Sequence, residues 1–265
     1  MPCTSQEGLA AAELWVAHPI SNIPMLTEGE LGTKPDALQV LSADAYIFDI
    51  DGTLLVTRDL VHWNGLHQAM LEAYGVDTTI EGLSYHGKTD IGILRMAMER
   101  CGISGASFEA RLPTALATIC REVEANAGGL RPEVCSGILE LLTKLRRHEK
   151  LLGVASGNLE VVGWHKISAA GLREFFSLGC FGDKCERRAD IFGHALFQAR
   201  ERLGEHATVC FIGDTPDDIR AARQVNAEII SVSTGVHRFG DLALLRPDFC
   251  YHSCSELVAL FPQKY

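Results

Sequence analysis

The chain has 265 residues, 47% of them hydrophobic, with 34 acidic against 24 basic side chains and a net charge of −10. That much apolar material supports a sizeable core and excludes a disordered chain, while the acidic balance argues against a general nucleic-acid surface. The nine cysteines, odd in number and without a CxxC pair, fit a free-thiol cytoplasmic protein better than a disulfide scaffold.

Residues 1–44 are the least informative and read as an N-terminal arm. They show neither a basic leader nor a long apolar core. Leu9 to Ala17 has the pattern of a short helix, and a connector with Pro24, Gly29, Gly32 and Pro35 follows. The arm is either mobile or docked on the core or on a neighbouring subunit. No stretch reaches membrane-spanning length. Ala45-Tyr46-Ile47-Phe48-Asp49-Ile50 then reads as a buried strand that breaks at Gly52. It delivers Asp49 and Asp51 at its C-terminal end, and two anions this close repel unless a cation or a proton intervenes. An ordinary Asp-Gly turn competes with that reading. A calcium loop does not, because Thr53 and Leu60 occupy the positions where such a loop needs an oxygen ligand and a glutamate.

From there the pattern turns helical. Leu66, Met70, Ala73 and Tyr74 form one stripe closed by Gly75; Ile91, Leu94, Met98 and Cys101 form a second; Leu112, Leu116, Ile119 and Val123 form a third. The expectation is a helical cap domain over residues 61–130, inserted between residues 45–60 and 131–265 of an α/β core and placed to act as a lid. A helix is predicted from about Pro132 to His148, its basic run Lys144 to Lys150 complementing the helix dipole. Leu151 to Ala155 reads as a strand ending in Ser156-Gly157-Asn158, and Val161 to Ala170 as a helix. A strand near Leu178 to Phe181, a polar loop from Gly182 to Arg188 and a helix over Ile191 to Arg202 come next. Thr208 to Ile212 forms a strand running into Gly213-Asp214-Thr215-Pro216-Asp217-Asp218. A helix over Ile219 to Val225 and strands at Glu228 to Val232 and Phe249 to Tyr251 complete the alternation, which implies a Rossmann-like, mostly parallel sheet.

Three polar clusters therefore end three strands: Asp49/Asp51, Ser156/Asn158 and Asp214/Asp218. On neighbouring strands they would converge on one crevice. Such an oxygen-rich set suits a hard divalent cation, and Mg²⁺ takes one or two carboxylates plus substrate phosphate. Local alternatives stay open: Ser156 as the cap of the helix after it, and Asp218 as a favourable charge at its own helix N-terminus. Cys180 with Cys185, and Cys250 with Cys254, match no compact zinc spacing.

This set resembles the haloacid dehalogenase-like superfamily in its phosphatase branch, whose members with a helical cap include phosphoglycolate phosphatase and β-phosphoglucomutase. Asp49-Ile50-Asp51-Gly52-Thr53 is similar to the first motif of that family, Ser156 to the second and Gly213 to Asp218 to the acidic fourth. The resemblance runs from Ala45 to the C-terminus. It implies a phosphatase for a small phosphorylated metabolite such as phosphoglycolate, with Asp49 as nucleophile forming an aspartyl-phosphate and Asp51 as general acid and base. It also implies Mg²⁺ held by Asp49, the backbone carbonyl of Asp51, Asp214 and Asp218, and a phosphoryl group bound by Ser156 and a basic residue. Arg188 is the first choice for that cation, with Lys184 and Arg187 as rivals. Thr53, Gly157 and Asn158 would line the substrate. Lys88, in Tyr85-His86-Gly87-Lys88-Thr89-Asp90, would reach a second anionic group, unless this segment is simply a helix start with Thr89 or Asp90 as cap. A β-phosphoglucomutase-like phosphotransferase and a non-catalytic phosphate-binding regulator are the alternatives. The expected protein works as a monomer or homodimer, without membrane or nucleic-acid partners.

Overall fold

A computed structural model describes residues 40–261; the helix expected over Leu9 to Ala17, with the rest of the arm up to residue 39, lies outside them. The frame is a six-stranded, wholly parallel sheet in the order β5-β4-β1-β6-β7-β8. Its strands are β1 (Ala45–Phe48), β4 (Leu151–Ala155), β5 (Leu178–Cys180), β6 (Val209–Gly213), β7 (Glu228–Val232) and β8 (Phe249–Tyr251). Because β1 lies between β4 and β6, Phe48 pairs with Val154 on one side and Ile212 on the other. The residues that follow these strands, Asp49, Ser156 and Asp214, thus emerge side by side at one edge.

Alternation along β1 splits the core into two layers, as the two-residue period of a strand requires. Tyr46 and Phe48 face a cluster with Ile138, Leu141, Leu142 and Leu145 of α5 (Ile138–Arg147) and with Cys254 and Leu257 of α10 (Cys254–Ala259). Ala45 and Ile47 face the other cluster, built from Ile191, Phe192 and Ala195 of α7 (Arg188–Leu203) and Ile219 and Ala222 of α8 (Pro216–Gln224). There Phe192 stacks on Phe211 with ring centroids 4.0 Å apart. Burying both faces under helices explains why the strands read as continuous apolar runs.

A small antiparallel ribbon of β2 (Leu55–Thr57) and β3 (Pro132–Val134) joins the sheet to a helical block. Between those strands the chain forms α1 (Val61–Tyr74), α2 (Asp90–Arg100), α3 (Gly105–Glu109) and α4 (Leu112–Ala125). Leu66, Met70, Leu94, Met98, Phe108 and Ile119 gather into a third cluster, which extends onto Leu159 and Val162 at the start of α6 (Glu160–Ala169).

Two expectations need correction. The helix from Pro132 starts only at Ile138, after Gly137 at φ 82°. Pro132 to Val134 instead pair with β2, and Val134 is left 40% exposed. Helix α7 begins at Arg188 itself, so the preceding loop is shorter than expected. Helix α9 (Phe239–Leu244) and α10 were not anticipated, being too short to show a periodicity. The eight described cysteines are free, with no disulfide among them. Among the described residues no helix is long and apolar enough to cross a membrane.

Candidate active site

The edge where β1, β4 and β6 end opens into a cavity of about 420 Å³ lined by Asp49, Asp51, Ser156, Asn158, Arg188 and Asp214 on the sheet side. Asp49 is anchored by its backbone N–H, which donates to Ile212 O at 2.9 Å. Thr53 donates its hydroxyl to Asp214 Oδ1 at 2.8 Å, so this residue orients a carboxylate rather than facing the substrate first. Asp49, Asp214 and Asp218 are all buried, and one oxygen from each lies within 4.8 Å of the others. Among the described residues this is the one acidic, histidine or cysteine cluster compact enough for a metal ion.

Arg188 is the cation of this cluster. It is 8% exposed, its Nη2 lies 2.7 Å from Asp49 Oδ1 and its Nε donates to Asp218 Oδ1 at 2.6 Å. Burial works against its charge, yet Asp218 and Asp49 hold it more firmly protonated than an ordinary arginine. The rivals are elsewhere: Lys184 is exposed, and Arg187 reaches Gln224 at 3.3 Å. The carboxylates are correspondingly frustrated. Burial, only partly offset by Arg188, pushes Asp49 up to about 6. Burial and the neighbouring Asp49 and Asp218 anions push Asp214 well above the carboxylate range. A hard divalent cation would relieve that repulsion, and an all-oxygen donor set is the chemistry such an ion takes; the residues fit Mg²⁺.

Asp218 also fulfils its local alternative. Its Oδ2 accepts from Thr215 N and Thr215 Oγ1 in a capping box at the start of α8. Ser156 does not, because the cap position of α6 is Leu159. Ser156 Oγ instead accepts from the side-chain amide of Asn158 at 2.9 Å.

The side chain of Asp51 is separate from the three-carboxylate cluster and is held by a residue the sequence reading missed. Lys166 Nζ donates to both Asp51 oxygens, at 2.9 and 2.8 Å, and to Asn158 Oδ1 at 3.0 Å. Asn158 Nδ2 adds a bond to Asp51 Oδ2 at 2.7 Å. The lysine is 4% exposed, whereas the Asp51 side chain remains 43% exposed to the cavity. Desolvation there would raise the Asp51 pKa, but Lys166 and Asn158 outweigh it and bring it below the usual range. The one signal in the sequence was a lysine four residues after Val162, on the buried face of α6.

Lys88 lines the same cavity but is engaged, donating to Asp217 Oδ2 at 2.8 Å. The segment around it docks closely on the sheet side. Gly157 O accepts from Asp90 N at 2.9 Å, and Leu159 N donates to Asp90 Oδ2 at 2.8 Å. Thr89 caps α2 by accepting from Gly92 N at 3.1 Å and donates to Glu186 O at 3.0 Å. A β-carbon on Gly157 would lie 2.6 Å from Lys88 O, so only glycine permits this approach.

The geometry agrees with comparisons to known proteins. The family profile of haloacid dehalogenase-like hydrolases matches residues 46–232. A phosphoglycolate phosphatase of Synechococcus elongatus is 27% identical over 222 residues, spanning 83% of this chain and 97% of that protein. Among solved structures, a predicted phosphoglycolate phosphatase from Haemophilus somnus has a TM-score of 0.61 at 15% identity, over 82% of this chain and 97% of that one. A β-phosphoglucomutase from Clostridium difficile has a TM-score of 0.58 at 16% identity, over 81% and 93%. With a profile spanning most of the chain, and with the acidic group Asp49, Asp214 and Asp218 just beyond the ends of the adjacent strands β1 and β6, this protein belongs to the haloacid dehalogenase-like hydrolases.

Proposed function

We propose that this protein is a Mg²⁺-dependent phosphomonoesterase that hydrolyses a small phosphorylated metabolite through an aspartyl-phosphate on Asp49. The observation that carries this reading is the buried group of Asp49, Asp214 and Asp218, with Arg188 bound between two of its members at a strand-end crevice. Asp49 and Asp214, with Asp218 behind them and the backbone carbonyl of Asp51 beside them, would hold Mg²⁺. When bound it would offset the repulsion between a carboxylate nucleophile and an anionic phosphate.

Asp49 attacks phosphorus while Asp51, open to the cavity, is placed to protonate the departing alcohol oxygen, for which its carboxylate must first take up a proton against its pairing with Lys166. Asp51 then takes the proton from the water that opens the acyl phosphate, which returns Asp49 and releases inorganic phosphate. Arg188 and the Ser156–Asn158 turn bind the phosphoryl oxygens, where fixed donors act on charge as it develops. We assign residues 61–130 as a cap over this core, resting on the docking of Lys88 to Asp90 against Gly157 and Leu159. Phosphoglycolate, the substrate in the name of the Synechococcus relative, is the reference ester. We place the protein in a reducing aqueous compartment such as the cytoplasm, on the strength of its described cysteines, all free.

Replacing Asp49 with Asn tests the covalent step. The variant is expected to release no phosphate from any ester while its circular dichroism spectrum and Tm stay near those of the parent. Turnover within about tenfold of the parent would refute the nucleophile assignment.

A further inference from the structure

We infer that the alcohol portion of the substrate is an uncharged, ring-bearing group and not a second anion. The inference rests on the phosphomonoesterase reading and concerns the opposite wall of the same cavity. That wall is apolar, formed by Trp63, Leu66, Ile80, Tyr85 and Ile93 of the helical block. Trp63 and Tyr85 meet edge to face, with centroids 6.1 Å apart at 77°. A two-carbon alcohol such as glycolate would leave most of this surface unfilled in a cavity of about 420 Å³.

The charges in the cavity point the same way. Its lining includes the carboxylates of Asp49 and Asp214, which would face Mg²⁺, those of Asp51, Asp59 and Asp90, and the cations Lys88, Lys166 and Arg188. Each of those cations is already engaged: Lys88 with Asp217, Lys166 with Asp51, Arg188 with Asp49 and Asp218. His62 Nε2 lies 3.2 Å from Asp90 Oδ1. A carboxylate or second phosphate on the alcohol would have to break an existing pair to find a cation. A neutral ring would bury apolar surface against Trp63 and Tyr85, the kind of lining that small-molecule pockets use. Thr57 Oγ1, buried in the same lining with no hydrogen-bond partner among the described residues, offers a neutral donor for a hydroxyl on that ring.

The test compares benzyl phosphate with ethyl phosphate, phosphoglycolate and phosphocholine, all esters of aliphatic alcohols, so that leaving-group acidity differs little. Benzyl phosphate is expected to have a kcat/KM at least about tenfold above the other three, the scale of filling an apolar pocket. Trp63→Ala and Tyr85→Ala are each expected to lower kcat/KM for benzyl phosphate more than for ethyl phosphate. Binding, read without turnover, separates failure of this inference from failure of the hydrolase reading: benzylphosphonate should bind the wild-type protein more tightly than phosphonoacetate does. Preference for phosphoglycolate or phosphonoacetate would overturn the inference and leave the phosphatase reading standing. Preference for phosphocholine would show a cation-selecting wall and overturn it equally, as would equal losses on both esters in both aromatic variants.

Discussion

Lys166 places a buried ammonium on the group assigned as general acid, which makes it a positioning residue. By bonding both oxygens of Asp51 it fixes the carboxyl plane, and Asn158 completes the clamp. Replacing it with Met keeps the length of the side chain and removes the clamp. Such a K166M variant is expected to lose about ten- to a hundredfold in kcat with KM nearly unchanged, since general acid–base catalysis contributes roughly 10²–10⁴ in total. A rise in KM with kcat intact would assign Lys166 to substrate binding instead. Asp49, Asp51 and Asp214 were legible because a carboxylate ending an apolar strand breaks a local pattern. Arg188 was legible only as one of three neighbouring cations. It opens α7, where the helix dipole disfavours positive charge, and Asp49 and Asp218 override that local rule. Lys166 broke an apolar face in the same way, but one polar residue on a short helix is too weak a signal to name its partner 115 positions away.

Among the elements, the decisive contact is between the segment Gly87 to Asp90 and the turn after β4. Asp90 N bonds Gly157 O, and Arg188 Nη1 bonds Gly87 O at 3.3 Å, so one backbone segment is tied both to the turn and to the cationic centre. Gly157→Ala would force Lys88 O away from 2.6 Å. It is expected to raise KM and lower kcat together, by about tenfold in kcat/KM, because gating segments affect both constants; Tm should fall little. A large drop in Tm with normal kinetics in the remaining folded protein would show that the contact serves stability alone. The same segment shows where sequence reading stopped. Thr89 as a cap could be read from its side chain, whereas the engagement of Lys88 by Asp217 depends on how α2 and α8 meet. The strand at Pro132 to Val134 was missed for a related reason. Three residues cannot show a period of two, and the partner that makes them a strand is β2, itself only Leu55 to Thr57.

At the scale of the whole molecule, strand order converts distant sequence into a site. Motifs more than 150 residues apart, at Asp49 and Asp214, meet because β1 is flanked by β4 and β6, and Thr53 Oγ1 bonds Asp214 across 161 positions. The alternation of strands and helices implied a mostly parallel sheet with crossovers of one hand, while the adjacency of the three strands stayed a condition until the order was seen. What faces the crevice was not inferable. The apolar wall opposite Asp49 combines helical positions, of which only Leu66 read as part of a stripe, with Ile80 and Tyr85 in the connection between two helices. The account as a whole is tested most directly by phosphate release from a panel of esters, comprising phosphoglycolate, sugar phosphates, nucleotides and benzyl phosphate, with Mg²⁺ and with EDTA. It predicts release in Mg²⁺, loss in EDTA and recovery when Mg²⁺ is added back in excess. Release that EDTA leaves unchanged, or none from any ester by a folded protein in Mg²⁺, would contradict it.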